Sequence, residues 1–288
     1  MHAGAPVEIS LAAFDGDPVR IVLSAMALAS AGFVSGFMAG LFGIGGGVIT
    51  VPVLAALLPL LGVSEGIAMQ VAIGTSLGLI VPTAVRSFLA HRARGAADLD
   101  LLRTWLIPVP LGVAIASLMA ARLTADALMV AFAAIALVVG LWMIVGPSDG
   151  RKLIAMPTGI GRALVGGGIG LVSTLMGIGG GVFNNTMMVL AGRPVHQAVA
   201  TSAGLGALIA FPGVVGMIVA GWGREALPPF SLGFVNLAAL AAMAPTSLMA
   251  APLGARTAHR MPGRLLKAAL GVFFLVVAAR FLVVALGD

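Results

Sequence analysis

The sequence predicts an all-α polytopic membrane protein made of two inverted repeats of about five hydrophobic segments each, with broken or short helices at glycine clusters. Three observations predict it. Hydrophobic residues make up 60% of the 288 and charged residues 9%, with a mean hydropathy of +1.13; a soluble domain carries roughly 25% charged residues. A glycine-rich block occurs twice, 134 residues apart. The basic loops sit at different places in the two halves.

Apolar runs near 20 residues are long enough to cross a hydrocarbon core about 30 Å thick. Five fall in the first half, at 20–42, 47–62, 66–89, 105–121 and 127–146. The longest polar connector, Pro147-Ser148-Asp149-Gly150-Arg151-Lys152, follows them. Five more run over 162–176, 181–191, 195–221, 230–254 and 266–286. An outer-membrane barrel would show short alternating strands, and the chain has none of that pattern. The expected organisation is an external N-terminal tail (1–19), a first membrane repeat (20–146), a cytoplasmic linker (147–161) and a second repeat (162–288). Residues 1–19 carry Glu8, Asp15 and Asp17 and lack the basic start of a cleavable signal.

The formal charge of +6 lies in short loops between apolar spans, so it reads as topology and not as a nucleic-acid surface. There is no cysteine, which excludes disulfides, thiol catalysis and cysteine metal sites. No cofactor motif is present; the expected partners are the bilayer and a small anionic substrate.

Leu41-Phe42-Gly43-Ile44-Gly45-Gly46-Gly47-Val48 matches Leu175-Met176-Gly177-Ile178-Gly179-Gly180-Gly181-Val182, and Gly32 and Gly36 match Gly166 and Gly170 at the same offset of 134. Further on, Ala72-Ile73-Gly74-Thr75-Ser76 is echoed by Ala198-Val199-Ala200-Thr201-Ser202 at offset 126. Two blocks in the same order indicate duplication. The relative orientation comes from charge. Loop 90–104 holds Arg92, Arg94 and Arg103, while its counterpart near 222–229 has only Arg224 and Glu225. Loop 122–126 has Arg122 and Asp126, while its counterpart, 255–267, has Arg256, Arg260, Arg264 and Lys267. Positive loops stay in the cytoplasm, so the halves face opposite ways, each with an odd number of crossings. Both termini come out external, with 12 of the 16 Lys and Arg inside. Ten full crossings and six crossings plus two re-entrant hairpins satisfy this parity equally.

A helix broken near the midplane exposes backbone N–H groups, and the half-helix that follows carries positive potential at its start. That is an anion site without a charged side chain. Gly43, Gly45, Gly46 and Gly47 in the first half, and Gly177, Gly179, Gly180 and Gly181 in the second, are the candidates. Thr75, Ser76, Thr201 and Ser202 place hydroxyls in apolar helices, where they either line the pathway or bond their own helix. Asn184 and Asn185 are costly at membrane depth unless partnered, and they mark candidate contacts that break the symmetry. Gln70 and Gln197 lie near the Thr-Ser pairs. Gly32-x-x-x-Gly36-x-x-x-Gly40 is a stripe for close helix packing. No Asp or Glu falls well inside a span, which favours an anionic over a cationic substrate. Arg86, Arg193 and His196 sit at cytoplasmic span ends as a basic funnel or as topology anchors, and Arg280 snorkels near the external end.

The duplicated Gly-Ile-Gly-Gly-Gly block, each copy followed by an Ala-x-x-Thr-Ser block, resembles the sulfite exporter TauE/SafE family of membrane permeases over about residues 20–286. The resemblance implies movement of sulfite, a sulfonate or another small anion across a bacterial inner membrane. It also implies that Gly43–Gly47, Thr75, Ser76, Gly177–Gly181, Thr201 and Ser202 line the path. Pro52 fits the family pattern after the first glycines; Thr186 stands at the matching place in the second half. The rival readings are a passive anion channel, a non-transporting scaffold, and an intramembrane hydrolase. The last rests on Gly74-Thr75-Ser76-Leu77-Gly78, which matches G-x-S-x-G formally but lies in a helix, away from the strand-turn-helix that an elbow needs.

Overall fold

The computed structural model describes residues 18–42, 47–93, 95–146, 152–258 and 260–287. Gly43, Gly45, Gly46, Arg94, Arg151, nearly all of the N-terminal tail and the start of the linker lie outside the described residues. The elements are α1 (Pro18–Phe42), α2 (Gly47–Leu60), α3 (Glu65–Arg92), α4 (Leu99–Thr104), α5 (Pro108–Arg122), α6 (Ala125–Val145), α7 (Gly159–Leu175), α8 (Gly181–Leu190) and α9 (Val195–Gly221). A two-stranded antiparallel hairpin, β1 (Ser231–Leu232) and β2 (Val235–Asn236), precedes α10 (Leu237–Ala258) and α11 (Gly263–Leu286).

Among the described residues six helices, α1, α3, α6, α9, α10 and α11, are long and apolar enough to cross a bilayer. The glycine-flanked α2 and α8 hold 14 and 10 residues. At 1.5 Å per residue they reach about 21 and 15 Å, short of the hydrocarbon core. Two expectations need correction. The segment expected at 105–121 is preceded by a separate short helix, α4, started by Asp98, whose Oδ1 accepts from Leu101 N at 3.0 Å. The segment expected from residue 230 begins as the hairpin, and its helix starts only at Leu237. The apolar content of Phe230-Ser231-Leu232 hid the turn at Gly233 (φ 54°), which seats the hairpin against the Ile218 backbone of α9.

α3 is the axis of the molecule. Of its apolar window 83% is buried, against 28–39% for the other five long helices. The outer helices instead turn large side chains outward: Val138, Val145, Phe211, Met249, Val276 and Val283 are all exposed. Faces this apolar belong against lipid, and the chain is a multi-pass membrane protein.

The packing directions are legible from glycine contacts. Along α9, a Cβ on Gly213, Gly206 or Gly204 would lie 3.0 Å from Leu77, 3.3 Å from Ala84 and 2.7 Å from Phe88 of α3, so these two helices run antiparallel. α6 and α11 are antiparallel too: the Phe132 and Phe281 rings meet at 5.1 Å, and Gly140 faces Leu275. By contrast, Gly32, Gly36 and Gly40 of α1 meet Met243, Ser247 and Ala251 of α10 in the same order, so that pair is parallel. Gly166 and Gly170 of α7 meet Trp105, beside the start of α5, and Val109 of α5, again in the same order. The predicted small-residue stripe is therefore a packing face: a Cβ on Gly36 would stand 2.5 Å from the Ser247 Cα.

Candidate functional site

The second glycine cluster is an ordered break. α7 ends with Gly177 in the left-handed region (φ 61°), Gly177 N bonded to Thr174 O at 2.9 Å and Ile178 N to Ser173 O at 2.8 Å. That is the paired bonding of a Schellman cap. Gly180, also left-handed (φ 73°), then starts α8. The N–H groups of Gly181, Val182 and Phe183 precede the first bond of the helix, from Asn184 N to Gly180 O at 3.0 Å, so this end carries positive potential. The start of α2 abuts this break: a Cβ on Gly47 would meet the Gly177 carbonyl and stand 2.8 Å from the Ile178 Cα.

A cavity of about 370 Å³ begins at this junction. Its inner end holds Gly179, Gly181 and Thr50; Ser202, Ala203 and Gly206 of α9 form one wall. Ile80, Thr83, Ser87 and His91 of α3 form another, and Ser247, Ala251 and Ala255 of α10 close the third side. Among the described residues no carboxylate lines it. It runs toward the end of the molecule where α1, α3 and α10 finish and α9 begins. The N-terminal half of α3 is packed instead: Leu77 is fully buried, and Gly74 lies against the Phe234 backbone of the hairpin.

The singled-out residues divide accordingly. Gly179, Gly181 and Ser202 line the cavity. Gly47, Gly177 and Gly180 shape the junction behind them. Thr75 and Thr201 are engaged elsewhere in matching ways. Thr75 Oγ1 accepts from Asn236 N at 3.0 Å, and Thr201 Oγ1 accepts from Asp98 N at 2.9 Å. Asn236 and Asp98 each cap the helix that follows, through Ala239 N at 2.7 Å and Leu101 N at 3.0 Å. Thr201 also donates to Gln197 O of its own helix. Ser76 Oγ donates to Gly177 O at 2.8 Å, tying α3 to the break 101 residues away. Asn184 Nδ2 donates to Ser202 Oγ, which donates to Asn185 Oδ1, both at 2.7 Å. Among the described residues Asn184 Oδ1, fully buried, has no partner, and neither do the Ser173 and Thr174 hydroxyls one turn before the break.

Gln70 donates to Leu123 O, away from the cavity. Arg193 lines a wider pocket of about 580 Å³ with Arg103, Arg162 and Gln197, in which Asp98 lies 3.9 Å from Arg193 and Asp100 lies 3.1 Å from Arg103. Its carboxylates offset two of the three arginines. Arg280 shares a small pocket with Glu65 and Asp126. Thr83, Ser87, His91 and Ser247 were not among the expected site residues. The first three were readable: spaced i, i+4, i+8, they make one polar stripe on an otherwise apolar helix.

One expected outcome arises here. Ser76→Ala leaves the buried Gly177 carbonyl without its donor, a loss of about 1–3 kcal/mol. It should lower the unfolding midpoint of the purified protein. A catalytic serine would instead give full loss of activity at unchanged stability.

An ordered helix break at a cavity inside a lipid-facing bundle defines a multi-pass helical membrane protein with an interior candidate site. The chain belongs to the sulfite exporter TauE/SafE family, which matches residues 28–281. It is 34% identical over 247 residues to a "Probable membrane transporter protein" of Haemophilus influenzae, covering 86% of this chain and 94% of that protein. A second "Probable membrane transporter protein", from Methanocaldococcus jannaschii, is 24% identical over 230 residues, covering 77% of this chain and 82% of the relative. No solved structure matches.

Proposed function

We propose that this protein is a secondary transporter, an exporter of a small inorganic or organic anion such as sulfite or a sulfonate, working by alternating access in a bacterial inner membrane. The observation that carries this reading is the cavity at the start of α8. It has backbone of Gly179 and Gly181 at its inner end, and among the described residues no carboxylate lines it. Backbone amides at a helix start favour an anion without the cost of a buried charged side chain. The family and the names of both relatives favour transport over catalysis.

The two halves, 20–146 and 162–288, are read as inverted repeats joined by a cytoplasmic linker, with both termini outside. Two features support this. Sequence-equivalent helices, α3 with α9 and α6 with α11, pack antiparallel, as elements related by a two-fold axis in the membrane plane must. The first helix of each half packs parallel to the fourth helix of the other, α1 with α10 and α7 with α5. The cavity runs toward the ends carrying Arg92, Arg193 and Arg256, the cytoplasmic side by charge. The packed outer half of α3 then makes this an inward-facing state, and rocking of one half against the other would exchange the open side.

The test is counterflow in proteoliposomes with sulfite, sulfonates, thiosulfate and carboxylates offered in turn. Saturable, trans-stimulated flux for one of these anions is the expected result. Flux that is linear in concentration would indicate a channel, and no flux for any of them would indicate a scaffold.

A further inference from the structure

We infer that His91 is the charge-switching group of the cavity: anion entry is linked to protonation of its imidazole. The inference rests on the anion-site reading above and adds its regulation. Among the described residues His91 is the one ionisable side chain lining the cavity. It is half-buried, and its ring makes no hydrogen bond among the described residues. It ends the Thr83–Ser87–His91 stripe, and Ile80, near the glycine junction, lies 11 residues earlier on α3. That separation is about 16 Å along the helix axis, so an anion travelling to the inner end passes it.

Among the described residues His91 makes no ion pair. Among the described residues of the lining helices the sole carboxylate is Glu65. It lies 26 residues upstream of His91, about 39 Å along α3. The charged side chains that the lining helices carry at the His91 end are basic: Arg86 and Arg92 on α3, Arg193 just before α9 and His196 in its first turn, and Arg256 in the last turn of α10, with Arg260 just beyond it. α2 and α8 carry no charge, and α1 has only Arg20 at its opposite end. The acids of the adjoining loop and α4 pair with arginines: Asp98 lies 3.9 Å from Arg193 and Asp100 lies 3.1 Å from Arg103. The arginines attract anions at every pH. Histidine alone among these side chains changes charge between pH 5 and 8. When His91 takes a proton from water, the anion is its counter-charge; when the anion leaves, the proton is released. By linkage, a group that binds its proton more tightly in the loaded state must strengthen loading as pH falls.

The experiment is equilibrium titration of the purified full-length protein with methanesulfonate and with sulfate. Their charges are fixed between pH 5 and 8, whereas sulfite itself titrates there. Wild type should bind roughly tenfold more tightly at pH 5.5 than at pH 8.0, within the usual range for linked sites. His91→Gln should bind at the weaker level at both pH values, and His91→Lys at the tighter level at both. An unchanged pH dependence in His91→Gln would overturn the inference and leave the anion site standing. No binding of either anion by wild type at any pH would remove the site and this inference together.

Discussion

Gly180→Leu is expected to abolish anion flux while the protein still inserts and purifies as a folded species. Gly180 has φ 73°, and a Cβ there would lie 2.6 Å from the end of the Ile209 side chain. A left-handed backbone costs an L-residue about 1–2 kcal/mol. Overpacking adds about 1–3 kcal/mol, at the lower end here because the tip of Ile209 can rotate away. The fold absorbs a penalty of that size. The site does not, because Gly180 sits between the two cavity-lining glycines, Gly179 and Gly181. Relief of the strain re-aims the first turn of α8 and turns its N–H groups off the inner end of the cavity. The check is counterflow beside thermal unfolding of the same preparation. Wild-type flux from a well-folded Gly180→Leu protein would rule out the junction as the binding site.

Gly36→Leu is expected to fail differently, by loss of the fold. The Cβ would press on the Ser247 backbone of α10, with carbonyl oxygen and Cα atoms as neighbours. Backbone does not rotate away. α1 and α10 pack here along three successive glycine steps, and Gly254 of α10 returns the contact against Phe37 and Leu41. Without a hydrophobic drive between helices in lipid, this van der Waals fit is what holds them together. Separating them should cost at least about 3 kcal/mol, read as a collapse of the monodisperse fraction on size exclusion. A Gly36→Ala protein should be intermediate. The two glycines share a residue type and a duplicated block, but opposite outcomes are expected because one faces a flexible side-chain tip and the other a rigid main chain.

That contrast also marks how far the chain could be read unaided. The class, most of the apolar helices and the second glycine break were legible. Each depends on local composition or on a short pattern that repeats: apolar length against bilayer thickness, and glycine where a helix must stop. The boundaries of α9 and the starts of α2 and α8 followed directly from such patterns. The hairpin before α10 did not, since its turn at Gly233 is specified by contact with α9 and not by its own apolar neighbours.

The candidate site was legible only in part. Gly179, Gly181 and Ser202 do reach the cavity. Thr75, Thr201 and Ser76, which look alike in sequence, hold backbone groups 161, 103 and 101 residues away. A hydroxyl in an apolar helix has one chemistry and many possible partners, and the choice lies with whichever distant main chain the packing brings within 3 Å. That the chain crosses a membrane, and that a helix breaks at Gly177–Gly180, could be read from the residues alone, because hydrophobic length and backbone freedom are properties of short stretches. Which polar groups face a cavity, which fasten the halves together, and that His91 stands in the cavity lining are matters of tertiary packing. Those facts are distances between segments far apart in the chain, and no local pattern encodes them.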